Sequence, residues 1–241
     1  MKPELPRYET FLITCEHASN AVPKTWEHCF AGHGAVLETH RAWDPGAAHL
    51  ARALGVALQT APRMGEITRL LVDLNRREEH PKVHSQFTPN AVKAQLVEQY
   101  HRPWREAVKA IAEESARAGR PVLHLSCHSF TPVLDGKERK AEIGLLYDPS
   151  RTSEAAFSHE LRKRLKFSLP GWRIRMNYPY RGTSDGVTSW LREALANEAY
   201  TGIEIELNQA FAAKPAKEWA HARKALAQAI LRMVKVDSPG L

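Results

Sequence analysis

Two histidines sit where an apolar run turns abruptly polar. Phe11-Leu12-Ile13 suits a buried strand and gives way to Glu16, His17, Ser19 and Asn20. Pro121-Val122-Leu123-His124-Leu125 repeats the grammar and ends in Ser126-Cys127-His128-Ser129. In an open α/β sheet, ligands bind beyond the carboxyl ends of the strands, so such polar strand ends predict the walls of a site. His17 and His128 are therefore expected at one sheet edge, where neutral imidazoles bind zinc readily. Two readings stay open on spacing alone, because no compact ligand motif such as HExxH occurs. One is a shared metal. The other is two unrelated histidines satisfied by backbone groups.

A third run, Gly202-Ile-Glu-Ile-Glu-Leu-Asn208, alternates strictly and puts Glu204, Glu206 and Asn208 on one face. Two carboxylates on an otherwise apolar strand are costly to bury unless paired or used. One of them beside a metal-bound water could act as general base and then general acid. The competing reading is an ion-pair network with arginines. Arg69, Asp73, Asn75 and Arg76 bracket the end of Ile67 to Leu74, read here as a strand. An arginine fork with an adjacent amide matches a carboxylate ligand, against the plainer reading of a surface arginine and a turn-forming asparagine. Arg181, in the loop Asn177-Tyr-Pro-Tyr-Arg-Gly182, has the setting of a mobile anion clamp.

The elements that must carry these residues alternate along the chain. Residues 21–35 read as loop. Ala47 to Leu58 is an amphipathic helix, with Asp44 before Pro45 as a competing N-cap. Residues 77–90 read as loop, and Ala91 to Ala118 as a long helix adjusted near Pro103. Thr131 to Lys140 is a polar loop and Ala141 to Tyr147 a strand. Ser153 to Leu165 is a helix capped by Ser153. A short strand, Trp172 to Met176, a helix, Thr188 to Glu198, the Gly202 strand and a closing helix, Pro215 to Val234, follow. The tail Val236 to Leu241 reads as frayed. Alternating strands and helices predict a mostly parallel sheet covered on both faces.

Composition narrows the class further. The 241 residues are 43% hydrophobic and 25% charged, as in a globular protein, and one domain over 1–241 is expected. No run of 18 apolar residues occurs, so no membrane span is expected. Met1 to Pro6 has no apolar core of a secretory signal. Cys15, Cys29 and Cys127 are an odd set without a CxxC pair, which fits a reducing cytoplasm; Cys15 and Cys127 read as small buried strand residues rather than nucleophiles. The net charge of +7 favours an anionic partner. Basic residues are dispersed, apart from Arg162-Lys163-Arg164-Leu165-Lys166, and no nucleic-acid module is present.

The segments CEHASN, WDPGAAHLARAL, TRLLVDLNR, CHSFTPVLDGKER with EIGLLYDPSR, NYPYRGTSDGVT and GIEIELNQ, in that order, resemble the N-formylglutamate amidohydrolase family over about Phe11 to Phe211. The resemblance implies an α/β fold: a three-layer α/β/α sandwich around a mostly parallel mixed sheet, like that of zinc exopeptidases. DLNR also resembles the carboxylate-binding segment of aspartoacylase-like deacylases. By resemblance, one Zn²⁺ is held by His17, Asp44 and His128, with Glu16 and Asn20 as competitors for the third ligand. Glu206 is implied as general base with Glu204 beside it. Arg69, Asn75, Arg76 and Arg181, with Ser129 and Asn20, are implied to bind substrate. The expected substrate is a small anionic N-formyl or N-acyl amino acid such as N-formylglutamate, handled by a cytoplasmic monomer or small homo-oligomer. The opening Cys15-Glu16-His17-Ala18-Ser19-Asn20 departs from the Pro-His-Ser-Gly type of the histidine-degradation enzymes, and Arg77 to Asn90 departs as well. Two rivals are a non-catalytic small-anion binding protein and a peptide or cell-wall amidase, the latter favoured by a wide groove beside the histidines.

Overall fold

The computed structural model describes residues 5–211 and 216–234. The expected frayed tail and Pro215 lie outside these residues. Six strands form the central sheet: β1 (Thr10–Cys15), β2 (Arg63–Met64), β3 (Val122–Phe130), β6 (Ile143–Leu146), β7 (Ile174–Met176) and β8 (Tyr200–Asn208). Their order is β2-β1-β3-β8-β6-β7, and every neighbouring pair is parallel except β6 with β8. A two-stranded hairpin, β4 (Val133–Leu134) and β5 (Lys137–Glu138), stands apart from it, where the sequence predicts plain loop.

Helices cover both faces, as the alternation predicts. On one side α1 (Ala47–Leu58), α4 (Thr152–Ser168) and α6 (Ala216–Val234) pack on Ile13, Leu125, Cys127, Ile203 and Ile205. On the other, α3 (Arg102–Arg117) and α5 (Val187–Ala194) pack on Leu12, Val122 and Tyr200. Cys15 and Cys127 are buried strand residues whose thiols burial pushes up. Among the described residues no helix is long and apolar enough to cross a membrane.

Four expectations need correction. Ile67 to Leu74 is not a strand but a buried run of turns, packed with Trp26, Phe30, Val83 and Leu96 in a separate apolar cluster. It needs no ladder because side chains satisfy its carbonyls: Ser85 and Thr88 donate to Leu70, and His84 and Thr88 to Leu71. Residues 21–35 contain 3₁₀ turns at Lys24–Phe30 and Gly34–Glu38. Ser153 does not cap α4, which starts one residue earlier; its hydroxyl donates to Asn197 instead. Asp44 does not cap α1, since its carboxylate is turned to the histidines.

The long helix around Pro103 forms in three pieces. α2 (Asn90–Leu96) runs through one π turn, Val97–His101, into α3. Proline lacks an N–H and crowds the carbonyl four residues back, and a π turn relieves both. The adjustment lets His101 Nε2 and Arg105 Nη1 both donate to the Arg76 carbonyl, at 2.8 and 3.0 Å. The turns at 73–77 are thereby fixed to the helix layer.

Candidate active site

The parallel register sets the site's frame. His128 of β3 stands opposite Glu206 of β8, Ser126 opposite Glu204, and Thr14 of β1 opposite Ser126. With a side-chain period of two, all these residues share the α3/α5 face. His17 lies in the turn after β1, one residue beyond Glu16. Asp44 is delivered by the turn Asp44-Pro45-Gly46-Ala47, which the Ala47 N–H closes onto the Asp44 carbonyl at 3.1 Å. Proline presets the second position, and Gly46 takes the φ of 88° that the third position requires. The Asp44 N–H also donates to the His17 carbonyl at 2.9 Å.

His17, Asp44 and His128 converge, each buried, with one potential ligand atom apiece within 4.8 Å of the others. Asp44 Oδ2 lies 3.0 Å from His128 Nδ1 and 3.4 Å from His17 Nδ1. Each imidazole is held from behind. His17 Nε2 meets Asp73 Oδ1 at 2.7 Å, and His128 Nε2 meets Glu16 Oε2 at 3.2 Å. A carboxylate on Nε2 holds a proton there, as behind metal-ligating histidines, and makes Nδ1, which faces Asp44, the atom that would serve as ligand once its own proton is lost. The donor chemistry therefore fits a divalent metal: two nitrogens and one carboxylate oxygen.

Glu16 is held by a buried chain of polar groups. Tyr200 Oη donates to His124 Nδ1 at 2.6 Å, His124 Nε2 to Thr14 Oγ1 at 2.8 Å, and Thr14 Oγ1 to Glu16 Oε1 at 2.6 Å. Ser126 Oγ donates to Glu16 Oε2 at 3.0 Å. Burial alone would raise the Glu16 carboxyl, but His128 and Thr14 carry it down to about 2. Burial would lower His128, yet Asp44 and Glu16 hold it well above the usual imidazole range in the metal-free protein. Burial is opposed at Asp44 by the histidines and Arg69, and at Asp73 by Arg69 and His17, so both stay ionised. His124, desolvated, falls to about 4 and is neutral.

Glu206 differs from these. Its Oε2 is buried with no hydrogen-bond partner among the described residues. Burial pushes its carboxyl up to about 8, with Asp44 and Glu204 adding to the rise against His128. Glu204, two residues deeper, accepts from Thr188 Oγ1 at 2.5 Å. Gly144 of β6 lies opposite Glu206 and admits the Tyr178 backbone, because a Cβ there would stand 1.9 Å from the Tyr178 carbonyl oxygen. Gly144→Ala is expected to cost about 1–3 kcal/mol through overpacking, read as a lowered Tm.

The N-formylglutamate amidohydrolase family model matches residues 9–213. The chain belongs to that family. It is thus a hydrolase acting on amide C–N bonds. A gene product of Agrobacterium tumefaciens is 28% identical, with a TM-score of 0.76 over 92% of this chain and 91% of that one. The N-formylglutamate amidohydrolase of Ralstonia eutropha JMP134 is 16% identical, with a TM-score of 0.68 over 98% of both chains, a likeness of fold. No curated protein matches the chain in sequence.

In this amidohydrolase-family chain the remaining residues singled out above are distributed unevenly. Arg69 reaches the cluster but spans two carboxylates, Asp44 Oδ1 at 3.3 Å and Asp73 Oδ2 at 3.0 Å. Arg76 donates to the Asp185 carbonyl at 2.9 Å. Asn75 Oδ1 accepts from Val187 N–H at 2.8 Å at the start of α5. Ser129 donates its backbone N–H to Asp44 Oδ2 at 3.3 Å and its hydroxyl to the Pro45 carbonyl at 2.9 Å. Asn20 bonds the Leu37 carbonyl, away from the histidines, and Arg181 is exposed outside the cavity described next.

A cavity of about 450 Å³ opens over Asp44 and Arg69. Its lining includes the cations Arg41 and Lys82, which sequence reasoning missed because no local pattern links loops so far apart in the chain, and His40, whose imidazole burial and the nearby Arg41, Arg139 and Arg69 push down toward the neutral form. A larger groove of about 720 Å³ between α4 and α6, lined by Lys163, Phe167 and Lys224 among others, holds none of the site residues.

Proposed function

We propose that this chain is a zinc-dependent amidohydrolase that releases an amino acid from its N-formyl or N-acyl form, with N-formylglutamate as the model substrate. The observation that carries this reading is the inward-facing His17–Asp44–His128 set, backed by Asp73 and Glu16, beside the partnerless Glu206 Oε2. His17 and His128 would hold the metal through Nδ1 and Asp44 through Oδ2. A bound Zn²⁺ supplies Lewis acidity that lowers the pKa of a water and polarises the carbonyl. Glu206 keeps its proton near neutral pH in the metal-free protein but would be ionised beside a bound Zn²⁺; it then takes the attacking water's proton on Oε2 and passes it to the leaving nitrogen. Glu204 holds the strand segment beneath it through Thr188. Asp73 and Glu16 keep the imidazoles oriented. The cations Arg41 and Lys82 of the cavity draw in the substrate carboxylate and orient the amide, with Arg69 held beside them by Asp44 and Asp73. A purely anion-binding protein would have no use for a buried carboxyl kept without a partner.

The test is metal content of the purified protein by mass spectrometry, on wild type and on the His17→Ala/His128→Ala variant side by side. About one equivalent of zinc in the wild type, lost in the double variant, is the expected result. No uptake by the wild type, even with excess zinc, would overturn the metal mechanism.

A further inference from the structure

The cavity over Asp44 is larger than a formylated amino acid fills; at about 450 Å³ it lies within the range of roughly 300–1,000 Å³ that suits drug-sized ligands. Its two kinds of wall come from separate stretches of chain. Arg41, Arg69 and Lys82 belong to the segments before α1 and after β2, and they are cationic; His40 stands with them as an imidazole pushed toward its neutral form by burial and the arginines. Phe130, Leu134 and Tyr180 come from the end of β3, the β4–β5 hairpin and the loop before α5, and they are apolar or aromatic.

The apolar wall is one connected piece. Arg139, just after the hairpin, donates from Nη1 to Tyr180 Oη at 3.0 Å. Its guanidinium lies 5.0 Å from the Tyr180 ring centroid and 5.9 Å from that of Phe130. Five large apolar side chains stand exposed among the described residues, and two of them line this cavity: Leu134 at 37% and Tyr180 at 45%. Exposed apolar side chains at the rim of a cavity that reaches Asp44 are a surface for a ligand to cover.

The hydrolysed amide has two ends. The amino-acid end carries the carboxylate and belongs on the cationic wall. The acyl end then faces the apolar wall, and a formyl group has no carbon beyond its carbonyl to place there. Resting on the amidohydrolase reading above, we propose that this site takes N-acyl amino acids whose acyl group is an apolar chain of several carbons, seated on Phe130, Leu134 and Tyr180. Hydrolysis breaks the acyl carbon–nitrogen bond; the water's oxygen stays on the acyl carbon as a carboxylate, and both of the water's protons leave on the amino-acid nitrogen as an ammonium group.

The experiment compares kcat/KM of the zinc-loaded full-length chain on N-formyl-, N-acetyl-, N-butanoyl- and N-hexanoyl-L-glutamate. A fully buried CH₂ is worth about fourfold, so a rise of at least about tenfold from acetyl to hexanoyl is expected on this half-covered wall. In Leu134→Ser and Tyr180→Ser the hexanoyl-to-acetyl ratio is expected to fall at least about threefold. A flat or falling series with N-formylglutamate still hydrolysed would overturn the acyl assignment and leave the amidohydrolase reading standing. A rise that survives both substitutions would overturn the location. Hydrolysis of none of the four would count against the reading of the reaction. Calorimetric binding to Glu206→Gln then decides the acyl site by itself: tighter binding of the hexanoyl compound supports it, and equal affinity for acetyl and hexanoyl overturns it.

Discussion

Glu206→Gln is expected to lose about 10²–10⁴ in kcat on N-formylglutamate while keeping the fold and the metal site. The amide has nearly the shape of the carboxyl but cannot take the water's proton. Glu206 is 4% exposed, stands opposite His128 and leaves Oε2 without a partner, so no other hydrogen bond is broken by the change. The same substitution is expected to stabilise the metal-free protein at alkaline pH. Burial raises the folded carboxyl to about 8, above its ordinary value of 4.5. Between those values the native state holds a proton that the unfolded state has released, so the group's contribution is intact below 4.5 and lost as pH climbs toward 8. Gln does not ionise, and its advantage above pH 8 is of order a few kcal/mol. Steady-state rates on the zinc-loaded pair and Tm against pH on the metal-free pair check both halves. Wild-type kcat in the variant would remove Glu206 from the reaction.

The other large effect lies at the opposite end of β8. Glu154, fully buried on α4, accepts at Oε1 from Arg192 Nε at 2.9 Å and from the Gly202 N–H at 3.2 Å, and at Oε2 from the Asp148 N–H at 2.8 Å. Arg192 in turn donates to the Gly182 and Gly202 carbonyls, at 2.5 and 3.0 Å. One carboxylate thus joins α4, α5 and the strand that carries Glu204 and Glu206. Glu154→Ala would strand the Arg192 cation in the interior, and about 3–5 kcal/mol of stability is expected to go. For a chain of this size that corresponds to a Tm lower by roughly 10 °C or more. Glu154→Gln keeps the shape and part of the hydrogen bonding, so a smaller loss is expected. Thermal unfolding of the three proteins measures the series, and an unchanged Tm in Glu154→Ala would show that the network contributes nothing net.

The sequence exposed those parts of the fold that periodicity writes locally. α1 spans the predicted residues, and β8 carries its carboxylates on one face because alternation is a property of the strand itself. The site was legible to the extent that a strand end announces itself by turning polar, which singled out His17 and His128. Partners were not legible. Asp44 before a proline looks like a helix cap, and only the fold shows its carboxylate turned to two histidines. Glu16 reads as a rival ligand, but the pairing of β1 with β3 puts it behind His128. Arg69, a candidate for binding substrate, already spans two aspartates. Ile67 to Leu74 has the composition of a strand, and its exclusion from the sheet is decided by Ser85, Thr88 and His84, more than ten residues further on.

The register of β1, β3 and β8 divides these strands by parity. Even-numbered positions Thr14, Ser126, His128, Glu204 and Glu206 face the chemistry, while odd-numbered Ile13, Cys15, Leu125, Cys127, Ile203 and Ile205 face the α1/α4/α6 layer. An engineer can therefore repack the odd set for thermal robustness without touching a catalytic atom. The polar members of the even set can be altered with both apolar cores left intact, provided the even-numbered Leu12, Val122 and Tyr200 that pack under α3 and α5 are kept. Inserting a single residue into any of the three strands would undo that separation by exchanging the two sets.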